Sequence, residues 1–120
     1  MPVKEYHKLV RDRIPDIIAS EGKVVKYTHF NLENDDHYIR RLLDKLYEEL
    51  GELYNTVEHD DDLGREAVIE ELADVAEVFD TLAKNLGISH DEILLKMKAK
   101  AEEKGSFENG TYLIEVEEGE

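Results

Sequence analysis

Two short acidic motifs in this chain of 120 residues stand out by spacing rather than by number. Glu48-Glu49-Leu50-Gly51-Glu52 sets three carboxylates within five positions, and Glu71-Leu72-Ala73-Asp74 sets two more three residues apart. Residues three and four apart are neighbours on a helix surface, so Glu48 and Glu49 each meet Glu52, and Glu71 meets Asp74. If Glu49, Glu52, Glu71 and Asp74 converge, four negative charges repel, and a shared proton or a cation must relieve them. An all-oxygen donor set selects a hard cation, Mg²⁺ or Mn²⁺, over zinc. The absence of cysteine removes thiolate sites and disulfides and agrees with a reducing compartment. The histidines, His7, His29, His37, His59 and His90, show no metal-ligand spacing, and no G-x-S-x-G elbow or P-loop glycine pattern is present.

Such convergence needs two helices, and the apolar pattern supplies candidates. A first long helix is expected to start among Asn34, Asp35 and Asp36, whose side chains can cap it, and to run to about His59, where Asp60-Asp61-Asp62-Leu63-Gly64 ends it. Its apolar stripe is Ile39, Leu42, Leu43, Leu46, Leu50, Leu53 and Val57; Glu49 and Glu52 occupy one shoulder, and Glu48 points nearly opposite. A second long helix is expected over residues 65–86, with Gly87 as its stop. Val68, Leu72, Val75, Val78, Phe79, Leu82, Ala83 and Leu86 define its apolar arc; Glu71 falls within that arc and Asp74 at its margin. Glu66, Glu70, Glu77 and Asp80 lie outside the arc and read as solvated acids. A carboxylate on a buried face is costly unless it is paired, hydrogen-bonded or bound to metal. Two outcomes stay open: the four acids converge on a cation, or Glu71 pairs with a lysine or arginine of another helix and Glu49 and Glu52 are rim acids.

The remaining elements are shorter. Pro15 in a first turn and Gly22 as a stop predict a helix over residues 14–21, and the β-branched and aromatic run Val24-Val25-Lys26-Tyr27-Thr28 predicts a strand. Ser89-His90-Asp91-Glu92 has the form of a capping box, which starts a third helix reaching about Lys104. Residues 111–116 alternate imperfectly and form a possible strand partner for residues 24–28. The expectation is a mainly α, single-domain helical bundle with an arm over 1–34, a helical core over 35–104 and a tail over 105–120. So small a core further predicts pairing into a homodimer or higher oligomer.

Charge narrows the function classes. The net charge is −15, and it is uneven: residues 1–34 carry six Lys/Arg against five Asp/Glu, while residues 35–120 carry nine against 25. A field of that sign repels nucleic acid. The opening Met1-Pro2-Val3-Lys4-Glu5 has no apolar run of a secretory signal, and no stretch approaches a membrane span, so no membrane partner and a cytoplasmic location are expected.

The two acidic motifs, in order and on successive predicted helices, resemble the E-E-x-x-E…E-x-x-D signature of the all-α nucleoside triphosphate pyrophosphohydrolases, the MazG-like superfamily. Tyr6-His7-Lys8-Leu9-Val10-Arg11-Asp12-Arg13-Ile14-Pro15 and Lys104-Gly105-Ser106-Phe107-Glu108 resemble its phosphoribosyl-ATP pyrophosphohydrolase-like subgroup. The resemblance implies a MazG-like bundle in which Glu49, Glu52, Glu71 and Asp74 ligate Mg²⁺ and Glu48 binds a further Mg²⁺ or orients water. It also implies attack of water at the α–β phosphoanhydride of a nucleoside triphosphate, giving a nucleoside monophosphate and pyrophosphate. Chemistry on so highly charged a substrate needs neutralisation and positioning, with Glu48 or Glu52 available to accept a proton. Without metal the acids would repel the triphosphate, so strict dependence on a divalent cation is expected.

Basic groups must complete a phosphate clamp. Lys100 and Lys104 continue the edge of the third helix's apolar face, formed by Ile93, Leu94, Met97 and Ala101, and their stems could equally lie over apolar surface. Lys8, Arg11 and Arg13 on the arm are the alternative clamp, unless Arg11 or Arg13 pairs with Asp12 or Asp16. Tyr47 and Tyr54 share a flank where they could stack on a base or pack on another helix. Two further readings compete: phosphoribosyl-ATP hydrolysis in histidine biosynthesis, and a non-catalytic acidic helical dimerisation module.

Overall fold

Four helices make up the regular structure of the computed structural model, which describes residues 2–30, 36–59 and 64–119. They are α1 (Ile14–Ser20), α2 (Asp36–His59), α3 (Gly64–Asn85) and α4 (His90–Lys104). The expected mainly α fold is therefore the observed one. The capping expected of Asn34 and Asp35 and the helix stop expected at Asp60, Asp61, Asp62 and Leu63 lie outside the described residues. The chain divides into two compact units, Met1–Gly87 and Ile88–Glu120.

The first unit holds α1, α2 and α3. Pro15 opens α1 where its missing N–H costs nothing, and the N–H groups of Glu21 and Gly22 donate to the carbonyls of Ile18 and Ala19 at 3.0 Å to close it. Gly22 can take its left-handed φ of 85° without a Cβ penalty. The helices α2 and α3 pack on each other. Four residues join them, a link far shorter than α2 itself, which at 1.5 Å per residue is roughly 36 Å long. Glu49 and Glu71, which meet across the pair, lie at similar distances from that link, so the two helices run antiparallel.

Exposure is lowest along one line of each helix. On α2 the line is Ile39, Leu42, Leu46, Glu49 and Leu53; on α3 it is Val68, Glu71, Val75, Val78 and Leu82. The steps alternate between three and four residues, the spacing that keeps one seam facing a single partner. The hydrophobic core is small: Leu42, Leu82 and Ala83 are buried, while Leu43, Leu50, Val57, Leu72, Phe79 and Leu86 stay exposed although the sequence pattern put them in the apolar stripes. One helix pair offers one contact line, and an apolar stripe roughly 100° wide needs more than one neighbour to cover it.

In the second unit α4 starts with the expected capping box. The Glu92 N–H donates to Ser89 Oγ at 3.1 Å and the Ser89 N–H donates to Glu92 Oε2 at 2.7 Å. Of the expected apolar face only Ile93 is half-buried; Leu94, Met97 and Ala101 are exposed.

The expected pairing of residues 24–28 with 111–116 is corrected: no strand forms among the described residues. Val24 is 102% exposed and Ile114 85%. β-branched and aromatic composition disposes a segment to pair, but only a ladder with a buried face stabilises it, and neither segment has one. The α2–α3 seam carries the packing, so Leu42→Ala and Leu82→Ala should each cost about 2–4 kcal/mol. Val24→Ala should change stability by less than about 0.5 kcal/mol, with urea unfolding followed by helical circular dichroism as the measurement.

Candidate metal centre

The seam carries two carboxylates at the same level. Helical spacing turns Glu49 of α2 inward between Leu46 and Leu53, and Glu71 of α3 inward between Val68 and Val75. Glu49 is only 6% exposed. Asp74, one turn after Glu71, comes with them, and oxygens of Glu49, Glu71 and Asp74 lie within 4.8 Å of one another. A second set, Glu48, Glu49 and Glu52, meets the same limit along α2, so Glu49 is shared by both. The five acids therefore form a cluster of two triads joined at Glu49, in which Glu52 is not grouped with Glu71 or Asp74. Glu52 sits at its exposed end, and Glu48, expected nearly opposite the stripe, is half-buried within it.

Three cations enter from the flank. Lys45 Nζ lies 3.5 Å from Glu48 Oε2 and 3.2 Å from Glu49 Oε1, one turn away on the same helix. Lys8 Nζ reaches Glu48 Oε1 at 3.1 Å. The Arg11 guanidinium spans two acids of α3, with Nη2 at 2.6 Å from Asp74 Oδ1 and Nη1 on Glu77 Oε2. Arg11 thus pairs with α3, and not with Asp12 or Asp16, the local alternative to a phosphate contact. Arg13 makes no ion pair among the described residues and sits exposed at the N-cap position of α1. Lys100 and Lys104 are exposed residues of α4 in the second unit, with Lys104 in the last turn, where a positive charge suits the helix dipole. Tyr47 and Tyr54 remain exposed instead of packing on a helix.

The cations do not reach everything. Glu49 Oε2 and Glu71 Oε2 are buried with no hydrogen-bond partner among the described residues. Six carboxylates, counting Glu77, face three cations here, an excess of three negative charges. Burial pushes the Glu49 carboxyl up, the Lys45 hydrogen bond pulls it back, and the charges of Glu52 and Asp74 help leave it above the usual range. Glu48 also feels burial, but the Lys8 hydrogen bond and the charges of Lys45 and Lys8 outweigh it and hold the group below the usual range. The hydrogen bonds to Asp74 and then Glu77 raise Arg11 further, so it is a permanent cation. An all-carboxylate set with two buried oxygens lacking donors fits a hard divalent ion, because such an ion binds oxygen and supplies the positive charge the flank does not.

Compared with known proteins, the chain matches no family model, no curated protein and no solved structure.

Two members of the cluster escaped the sequence reading. Lys45 was within reach, since it stands three and four residues before Glu48 and Glu49. Glu77 was not, because its partner Arg11 is distant in sequence and only the fold brings them together.

The Glu49 shift carries a test. Its proton is held more tightly in the folded than in the unfolded chain, so the associated stability is full at low pH and is lost as pH rises through the folded-state titration. In EDTA, Glu49→Gln should therefore raise neutral-pH stability by on the order of 1 kcal/mol. The gain should vanish in acid, where wild-type Glu49 is protonated in both states, and melting curves across pH measure it.

Proposed function

We propose that this chain is a Mg²⁺-dependent nucleoside triphosphate pyrophosphohydrolase of the MazG-like kind that its motifs resemble. The observation that carries the reading is the meeting of Glu49, Glu71 and Asp74 across the α2–α3 seam, with two buried carboxylate oxygens lacking donors. Glu49, Glu52, Glu71 and Asp74 would hold the metal, Mn²⁺ serving as well as Mg²⁺. Bound there, it would neutralise the triphosphate and polarise the phosphate under attack.

The chain's own groups supply the rest. A carboxylate held by two ammonium groups is a weak base, and Glu48 is so held by Lys8 and Lys45. Glu52, exposed and without an ion pair among the described residues, is the better acceptor for the proton of an attacking water at the α–β bridge. Lys8 and Arg11 stand beside the acids and can offer their charge to the pyrophosphate leaving as the α–β bond breaks. The products would be a nucleoside monophosphate and pyrophosphate.

The ion pairs of Lys8 and Arg11 favour a second reading, a non-catalytic acidic module whose charges are structural. Product analysis separates the two. Incubation with a panel of triphosphates, and with phosphoribosyl-ATP to test the histidine-pathway alternative, should release pyrophosphate only when Mg²⁺ or Mn²⁺ is present. Glu52→Gln and Asp74→Asn should each lower kcat/KM by about 100-fold or more, the scale of losing one preorganised electrostatic contact. Activity unaffected by both substitutions removes the site assignment; no release from any substrate leaves the structural module.

We further propose that the protein works as a homodimer. Leu43, Leu50 and Val57 recur every seven residues on α2, and Leu72, Phe79 and Leu86 do so on α3, all of them exposed. At 100° per residue they fall on the flank of each helix away from Glu48, Glu52 and Asp74. A second copy presenting the same flank would cover both rows in a four-helix arrangement and leave the acids open. Sedimentation should give twice the chain mass, with Phe79→Asp reverting to one chain; a concentration-independent single-chain mass for the wild type rejects the dimer.

No helix of the described residues is long and apolar enough to cross a membrane.

A further inference from the structure

The ion pairs that tie the N-terminal arm to α2 and α3 have a feature that a static structural role does not require: each lands on an acid of the metal cluster or next to one. Lys8 takes Glu48 on α2, and Arg11 takes Asp74 and Glu77 on α3, so a short stretch of irregular chain is fastened to both helices through the outer carboxylates. The arm contributes little else there. Leu9 is half-buried, while Tyr6, Val10 and the side chains of Lys8 and Arg11 are substantially exposed. The inner oxygens, Glu49 Oε2 and Glu71 Oε2, receive no hydrogen bond from it or from any other described residue.

We propose that the N-terminal arm is an electrostatic latch, held on the acidic cluster by Lys8 and Arg11 and displaced when a divalent cation binds between α2 and α3. This rests on the metal-centre reading above and adds a linkage to it. A cation attracted by the inner oxygens of Glu49 and Glu71 takes Asp74 as its third ligand and lowers the negative charge that Arg11 sees. The same cation lowers the field at Glu48 that holds Lys8. Arm and metal therefore compete for one charge, and each weakens the other by the same factor. Glu77 lies outside the metal set, so it retains Arg11 near the cluster after Asp74 is given up. The displaced cations are then free for the anion that a bound metal attracts. Arg11 acts through Asp74 and is a positioning residue for the metal, distinct from the ligands themselves.

The linkage can be read with a metal alone. Titrating the full chain with Mn²⁺ by electron paramagnetic resonance should show Arg11→Gln binding about fivefold to tenfold more tightly than wild type, within the range of ordinary coupling between sites. Lys8→Gln/Arg11→Gln should bind more tightly still, and Arg11→Lys should lie near wild type. Lys23→Gln removes the same charge from a lysine paired with Glu21 and should leave Mn²⁺ affinity unchanged. The reciprocal limb uses the absence of cysteine, which lets a fluorophore be placed uniquely through Val3→Cys on an exposed arm residue. Saturating Mg²⁺ should lower its anisotropy in wild type and not in Glu49→Gln.

Binding that depends on Glu49 but is equal or weaker in Arg11→Gln, or an arm label indifferent to Mg²⁺, overturns the latch and leaves the metal centre standing. Absence of any Glu49-dependent Mn²⁺ binding overturns both.

Discussion

Two glutamates in a helix–helix seam set the terms for the rest of the first unit. Glu49 and Glu71 occupy positions where the alternating three- and four-residue spacing calls for leucine or valine, and they do so at the same level of the antiparallel pair. A seam with two carboxylates loses apolar contact and gains repulsion, and the neighbouring lysine reaches only one oxygen of Glu49. A small core, with Leu42, Leu82 and Ala83 as its buried apolar members, has little surplus to offset that cost. The arrangement is consistent only if something else supplies positive charge or a proton at this point. Burial raises the Glu49 carboxyl, which marks the cost of its charge there, and a hard cation is the partner that would satisfy both inner oxygens at once.

The narrow seam also divides the helix pair into two unlike flanks. Helical projection puts Glu48, Glu52 and Asp74 on one side of the contact line, and the exposed heptad rows of α2 and α3 on the other. The acidic flank is the one the arm crosses. Burial of the apolar flank by a second copy would stiffen the two helices without covering the carboxylates. Stiffness matters to such a cluster because its oxygens belong to different helices, and a shift of about an ångström between them would change the coordination on offer.

Helix existence, order and type were legible because periodicity, proline and glycine positions and the Ser89–Glu92 capping box each act locally. The acids were legible for a related reason: Glu71 interrupts an otherwise apolar arc, and that violation of pattern survives whatever the tertiary packing turns out to be. Local pattern failed where a distant partner decides the outcome. Residues 24–28 and 111–116 have strand composition but no ladder. The wide apolar stripes promised more burial than one helix pair can deliver. The partnership of Arg11 with Asp74 and Glu77 joins residues far apart in sequence, and Asp12 and Asp16 were the only partners that proximity along the chain could suggest. Lys45 is the instructive intermediate case, since its spacing to Glu48 and Glu49 was visible and only its partial burial, with 18% of the side chain exposed, gives it weight.

Charge distribution then constrains how an anion could approach. Outside residues 1–34 the chain carries nine basic residues against 25 acidic ones, so a triphosphate meets repulsion over most of that sequence. The arm alone is nearly balanced; its Arg11 already rests on Asp74, which a metal would take, and its Lys8 on Glu48 beside that set. A divalent ion entering there would cancel acidic charge in the seam and, on the latch proposed above, would weaken the hold on two cations beside it. An anion arriving after the metal would therefore meet a site less negative by the charge of the ion, with Lys8 and Arg11 less tightly engaged by acids. Metal first and anion second is the order that this placement of charges would favour.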